Sequence, residues 1–242
     1  MTVKTPHLNG RGNICLYIPK TQGDDLPIVT LLHGVYGSSN SWSVGAGAHL
    51  TAQQMIESGQ IQPMILAMPS DGLWGDGSAY LQHSNYNFEK WITSDVIDAV
   101  RLNIPQAEKS HINFLAGLSM GGYGALRLGA KYHETYKAFS GLSAITSLEQ
   151  MPMFVEEDIT NYKQSNDAED VFQTIKSNKD SIGPFRFDCG KEDILIEHNR
   201  KLHNDLEAVG IEHVYKENDG AHEWSYWEQH LSDTLLFFNN QL

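Results

Sequence analysis

Short apolar runs alternate with stretches of helical period along the whole chain, and this alternation constrains the fold more than any single motif. The runs Ile14–Ile18, Pro27–Leu32, Pro63–Met68, Ile112–Ala116, Ala138–Leu142, Phe185–Cys189 and His213–Lys216 read as strands. Helices are expected over His49–Glu57, Phe88–Leu102, Met120–Lys131, Asn199–Val209 and Tyr226–Asn239. The apolar stripe Phe88, Ile92, Val96, Ala99 and Val100 stops at Ile104-Pro105, because a residue before proline is pushed out of the helical region. Apolar strands joined by helix-length crossovers need cover on both faces. The pattern therefore predicts a mostly parallel sheet with helices on either side and room for an antiparallel hairpin near the start. Ligands of such sheets gather at the carboxyl ends of the strands.

A chain of 242 residues without repeats or a Gly/Ser linker suits one α/β domain spanning residues 1–242. Seventeen Lys and Arg against 30 Asp and Glu give a net charge of −13, which repels nucleic acid and anionic membrane surfaces, so neither is expected as a partner. No apolar stretch is long enough to span a bilayer: Leu26–Ile56 is broken by polar residues, glycine and proline, and Ile112–Leu126 is too short. The first ten residues lack the apolar core of a secretory signal, and Cys15 and Cys189 make neither a disulfide framework nor a zinc set. Both are expected as free thiols in a cytoplasmic protein. A homo-oligomer is compatible with the sequence, which leaves the oligomeric state open.

Gly117-Leu118-Ser119-Met120-Gly121 lies where an apolar run meets a helix, the context that gives a G-x-S-x-G match meaning. So sharp a reversal strains the serine backbone and lifts its Oγ above the sheet, while the two glycines remove side chains that would collide. Gly141-Leu142-Ser143 repeats the first three letters and lacks the second glycine, so it serves as an internal control. A serine hydroxyl needs a histidine base, itself oriented by a carboxylate, and on a strand–turn–helix elbow the chain order is serine, acid, histidine. His222, in the run Asn218-Asp219-Gly220-Ala221-His222-Glu223-Trp224 after the last strand, is the expected base. His213 lies in the strand, His230 in the last helix, and His198 and His203 on a polar helix. Asp188, Glu192 and Asp193 follow or end one strand, and position favours Asp193, in the loop, over Asp188, still in the ladder. Met120 N–H, at a helix start, is one expected oxyanion donor; Val35 N–H, with Tyr36 next, is the other, from the turn His33-Gly34-Val35-Tyr36-Gly37. His33 precedes the serine in the chain and is read as shaping that turn. No HxH, HExxH, CxxC or GxxxxGK[ST] occurs, so no metal and no cofactor are expected.

The segments LLHGVYGSSNSW, MPSDGLWGDG, GLSMGGYGALRLGA, CGKEDILIEHNR and GAHEWSYW together resemble the α/β-hydrolase esterases grouped with esterase D, which include tributyrin esterase-like, feruloyl and acetylxylan esterases. The resemblance implies the α/β-hydrolase fold, Ser119 as nucleophile, Asp193 as acid, His222 as base, and Val35 and Met120 N–H as the oxyanion hole. S-formylglutathione hydrolases are relatives, but the turn here reads HGVYG rather than their LSGLTC-like form.

Residues 143–183 form a long insertion between two strands, expected to act as a cap over the site. Its apolar start carries Met153 and Phe154, yet Glu156-Glu157-Asp158 and the polar run Asn161–Asp170 are unlike a lipid-docking face. Tyr36, Trp74, Met153 and Phe154 are the candidate substrate contacts. The expected partner is a small-molecule, short-chain ester, and the expected activity is that of a serine carboxylesterase. The alternatives are a thioesterase or acyltransferase using the same three residues, and a non-catalytic binding protein on the same fold.

Overall fold

The computed structural model describes residues 1–72, 75–162 and 170–242. Eight strands form one sheet: β1 (Thr2–Thr5), β2 (Gly10–Tyr17), β3 (Ile28–Leu32), β4 (Ile65–Pro69), β5 (Asn113–Leu118), β6 (Ala138–Leu142), β7 (Phe185–Gly190) and β8 (Val214–Asn218). Their order is β1-β2-β4-β3-β5-β6-β7-β8. β1 and β2 form the expected antiparallel hairpin, β2 is also antiparallel to β4, and every other pair is parallel. Strands β3 to β7 are buried throughout, because helices cover both faces. Their side chains alternate between two cores, so Ile28 and Leu32 of β3 enter one while Val29 and Leu31 enter the other.

The helices in chain order are α1 (Ser41–Gly45), α2 (Ala48–Glu57), α3 (Phe88–Lys90), α4 (Ile97–Asn103), α5 (Met120–Lys131), α6 (Val171–Ser177), α7 (Ile196–Ala208) and α8 (Trp224–Asn239). The single helix expected over Phe88–Leu102 is divided: a π-helical turn, Trp91–Val96, links α3 to α4. Trp91 in that turn packs on Gly12 of β2 and donates from Nε1 to the Ser70 carbonyl at 2.8 Å. The sequence reading contains no β1, α1 or α6. β1 is a four-residue edge strand with two exposed positions, and α1 and α6 are too short to set up a helical period. Within residues 143–183, 3₁₀ turns occupy Leu148–Met153 and Ile159–Asn161, and α6 buries Val171, Thr174 and Ile175.

Candidate active site

β5 runs directly into α5, and Ser119 occupies the junction with φ +54° and ψ −118°. An L-residue at positive φ is strained, and two close approaches hold it there. A Cβ on Gly117 would lie 2.2 Å from the Gly121 carbonyl oxygen, and one on Gly121 would lie 2.3 Å from that of Leu32, so only glycine fits either place. The Ser119 side chain makes no capping hydrogen bond to α5, and the residue is only 2% exposed. Neighbouring loops, rather than the elbow alone, close over the hydroxyl.

The base and the acid reach it from two adjacent loops that are fastened together. After β8, Gly220 N–H donates to Glu192 Oε2 at 2.8 Å; after β7, Glu192 N–H donates to the Gly220 carbonyl at 3.0 Å. Lys191 adds an ion pair to Asp219 at 2.7 Å. This clamp brings His222 Nδ1 to 3.0 and 2.9 Å from the two Asp193 oxygens and leaves His222 Nε2 2.9 Å from Ser119 Oγ. Asp193 is itself fixed by Leu195 N–H, which donates to Oδ1 at 2.8 Å. A carboxylate on Nδ1 selects the tautomer with its proton there, so Nε2 faces the serine as an acceptor. Asp188 is occupied elsewhere: it sits 2.8 Å from Arg186 Nη2 and accepts from Tyr226 O–H at 2.8 Å. Ser143 also has a positive φ, +46°, but it is fully buried, and the hydrogen bonds of His222 go to Asp193 and Ser119 instead. His203 and His213 bond each other at 2.8 Å, and His230 packs on Tyr226.

The turn after β3 comes within touching distance of the elbow, for a Cβ on Gly34 would lie 3.3 Å from Ser119 Cβ. Met120 and Val35 meet over Gly77, where a Cβ would lie 2.4 Å from Met120 Sδ and 3.4 Å from Val35 Cγ1. Tyr36 N–H is taken by the Asp76 carbonyl at 2.7 Å, so it is no longer available as an oxyanion donor. Val35 N–H has no partner among the described residues, and Met120 N–H is the first, unpaired amide of α5. His33 does more than occupy the turn. Its Nδ1 donates to the Gly34 carbonyl at 2.6 Å and its Nε2 accepts from Asp71 N–H at 3.0 Å, which uses both ring nitrogens and sets the tautomer. The Gly34 carbonyl and Val35 N–H belong to one planar peptide, so orienting the first orients the second. Tyr80 O–H donates to the His33 carbonyl at 2.9 Å, and the Tyr80 carbonyl accepts from buried Arg127 of α5 at 2.9 Å.

Phe154 stacks on His222 with centroids 5.7 Å apart, and Trp227 meets the same ring edge-on at 5.0 Å. Tyr36 O–H donates to the Phe154 carbonyl, so these two expected contacts lie together beside the histidine. Met153 is instead 54% exposed and lines a separate depression of about 390 Å³ with Gln150, Phe172 and His198. Trp74 lies outside the described residues. Trp227 is not singled out from sequence; Glu192 enters there only as one of three candidate acids, and Tyr80 only as one of the aromatics of the loop Asp71–Phe88 that could stack on a sugar or phenolic group, so the clamp and the Tyr80 bridge are both missed. Among the described residues no three His, Cys, Asp or Glu are grouped to hold a metal, Cys15 and Cys189 are free thiols, and no helix is long and apolar enough to cross a membrane.

A hydroxyl, an imidazole and a carboxylate in hydrogen-bonded series, beside two unpaired backbone amides, can support acyl transfer through a covalent intermediate. The family model described as "Putative esterase" matches residues 5–238. An acetyl esterase of Caldicellulosiruptor saccharolyticus is 28% identical over 231 residues, covering 88% of this chain and 83% of the relative. A solved ferulic acid esterase superposes with a TM-score of 0.87 at 21% identity, covering 100% of this chain and 97% of the other. An S-formylglutathione hydrolase from Staphylococcus aureus superposes at 0.83 with 19% identity, covering 99% and 97%. These superpositions are of the α/β-hydrolase esterase fold.

Proposed function

The chain belongs to the esterase family and is a serine carboxylesterase, and from that premise we propose that it hydrolyses short-chain acyl esters through an acyl-enzyme on Ser119. His222 Nε2 takes the Oγ proton as Oγ attacks the ester carbonyl, and Asp193 holds the imidazole in position and stabilises its positive charge. Val35 and Met120 N–H receive the oxyanion. The tetrahedral intermediate collapses, the alcohol leaves with the proton from His222, and water, activated by the same base, frees the acid. The observation that carries this reading is the unbroken series from Asp193 through His222 Nε2 to Ser119 Oγ at 2.9 Å.

A short acyl chain is favoured by the crowding around Ser119. Phe154 and Trp227 flank the histidine, Tyr36 is tied to the Phe154 backbone, and the described part of the segment after β6, which carries Phe154, acts as the cap. The cap is fastened to the loop before α3: Asp76 accepts from Glu156 N–H at 2.9 Å, and Tyr162 stacks on His83 with centroids 4.0 Å apart. The unpaired cysteines suit a reducing, cytoplasmic setting. Each CH₂ adds about 0.8 kcal/mol only where the pocket can bury it. Measured over 4-nitrophenyl esters below their micelle concentrations, kcat/KM should peak between acetyl and butyryl and fall by eight carbons. A steady rise through long chains would refute the short-chain reading.

A further inference from the structure

Asn199, the fourth residue of α7, is fully buried. Its Nδ2 carries two hydrogens and both are committed, one to the Ala144 carbonyl at 2.9 Å and the other to the Leu195 carbonyl at 3.0 Å. Each acceptor is one step from the site. Ala144 C=O and Ile145 N–H belong to one planar peptide, and Ile145 N–H donates at 3.2 Å to the Ser119 carbonyl, which also accepts from Tyr123 N–H of α5 at 3.1 Å. On the other side, Leu195 is the residue that begins α7, and its own N–H donates to Asp193 Oδ1 at 2.8 Å. Asp193 holds His222, and His222 Nε2 returns to Ser119 Oγ. A closed circuit of bonds and hydrogen bonds therefore leaves Ser119 through its carbonyl and comes back to its hydroxyl. Asn199 is the one side chain in that circuit besides those of the three reacting residues.

We infer that Asn199 is a positioning residue for the acyl transfer, setting the Ser119 elbow against the Asp193 loop so that Oγ, Nε2 and the carboxylate stay in line. The inference rests on the esterase reading and adds a residue to its machinery. The segment that Asn199 steadies is strained and tightly placed: Ser143 has φ +46°, and a Cβ on Gly122 of α5 would lie 2.9 Å from Ala144 Cβ. Stability alone does not call for an amide here. Asn199 Oδ1 has no hydrogen-bond partner among the described residues, and a buried acceptor left unpaired is unfavourable. Spanning the two carbonyls takes both hydrogens of one nitrogen; an ionised Asp would offer none and Ser only one.

The test uses two variants beside Ser119→Ala. Asn199→Leu keeps the volume and removes both bonds, whereas Asn199→Ser loses the bond to Ala144 and keeps the other, because a helical serine hydroxyl donates to the carbonyl four residues back, that of Leu195. A misplacement of about 1 Å can cost about 10²-fold, so a loosened circuit should lower kcat on 4-nitrophenyl acetate by roughly 10- to 30-fold in both variants, with KM within about twofold. The rate at which a fluorophosphonate labels Ser119 should fall in step, and assays well below each melting temperature separate this loss from unfolding. A folded variant of either kind with wild-type kcat, a loss confined to KM, or an unchanged labelling rate would overturn the inference, while an inactive Ser119→Ala leaves the esterase reading standing. Near-wild-type turnover in Ser119→Ala would overturn both.

Discussion

Replacing His33 by Asn and by Gln separates its two hydrogen bonds. Asn places an N–H near the position of Nδ1 and can still donate to the Gly34 carbonyl; Gln places its polar group near Nε2, where it meets Asp71 N–H and leaves Gly34 unheld. The bond in question is the 2.6 Å contact that orients the Gly34–Val35 peptide. Outright loss of an oxyanion donor costs about 10²- to 10³-fold in kcat. Val35 N–H would be loosened rather than deleted, so His33→Gln should lower kcat by roughly 30- to 100-fold, and His33→Asn by less than about tenfold. KM should change little in either, because the oxyanion exists only as the reaction proceeds. Initial rates on 4-nitrophenyl acetate give kcat and KM, and thermal melts establish that both variants are folded. A Gln variant as active as the Asn variant, or losses that appear in KM, would refute the positioning role.

Three further outcomes follow from the same geometry. Asp193→Asn should cost about 10⁴-fold in kcat in a folded protein, through the wrong imidazole tautomer, whereas Asp188→Asn should lower the melting temperature and spare kcat; the reverse result would reassign the acid. Burial pushes the Glu89 carboxyl up, but Arg127, with hydrogen bonds from Lys131 and Tyr132, outweighs it and holds the pKa at about 2. Because the folded value lies below the unfolded one, the stabilisation, about 3 kcal/mol, is present above pH 4.5 and is lost as pH falls towards 2. The stability gap between wild type and Glu89→Gln in denaturant titrations should therefore narrow from pH 6 to pH 3, and a constant gap would contradict it.

The parts legible in sequence were those set by local chemistry. Met120–Lys131 and Ala138–Leu142 coincide with the helix and strand expected, because apolar period and flanking glycines act over a few residues. Asp193 could be separated from Asp188 because one follows the turn glycine and the other precedes it. What escaped depends on contacts between distant segments. Tyr80 reads from sequence only as one more loop aromatic able to stack on a substrate ring, and its bridging role arises because β3, α5 and the loop before α3 converge on it. Tyr36 could not be excluded as an oxyanion donor until Asp76, 40 residues on, was seen to take its N–H. Met153 and Phe154 are adjacent in an apolar stretch, but a 3₁₀ turn ends at Met153 and sends the two side chains to different places.

Labelling with a fluorophosphonate tests the central claim most directly, since it reports which hydroxyl the histidine activates. One adduct per chain, mapped by peptide mass to Ser119, with activity lost in proportion and no adduct in Ser119→Ala, is the result expected. An adduct on Ser143 or on any other residue, or a Ser119→Ala protein that retains near-wild-type turnover, would contradict the account.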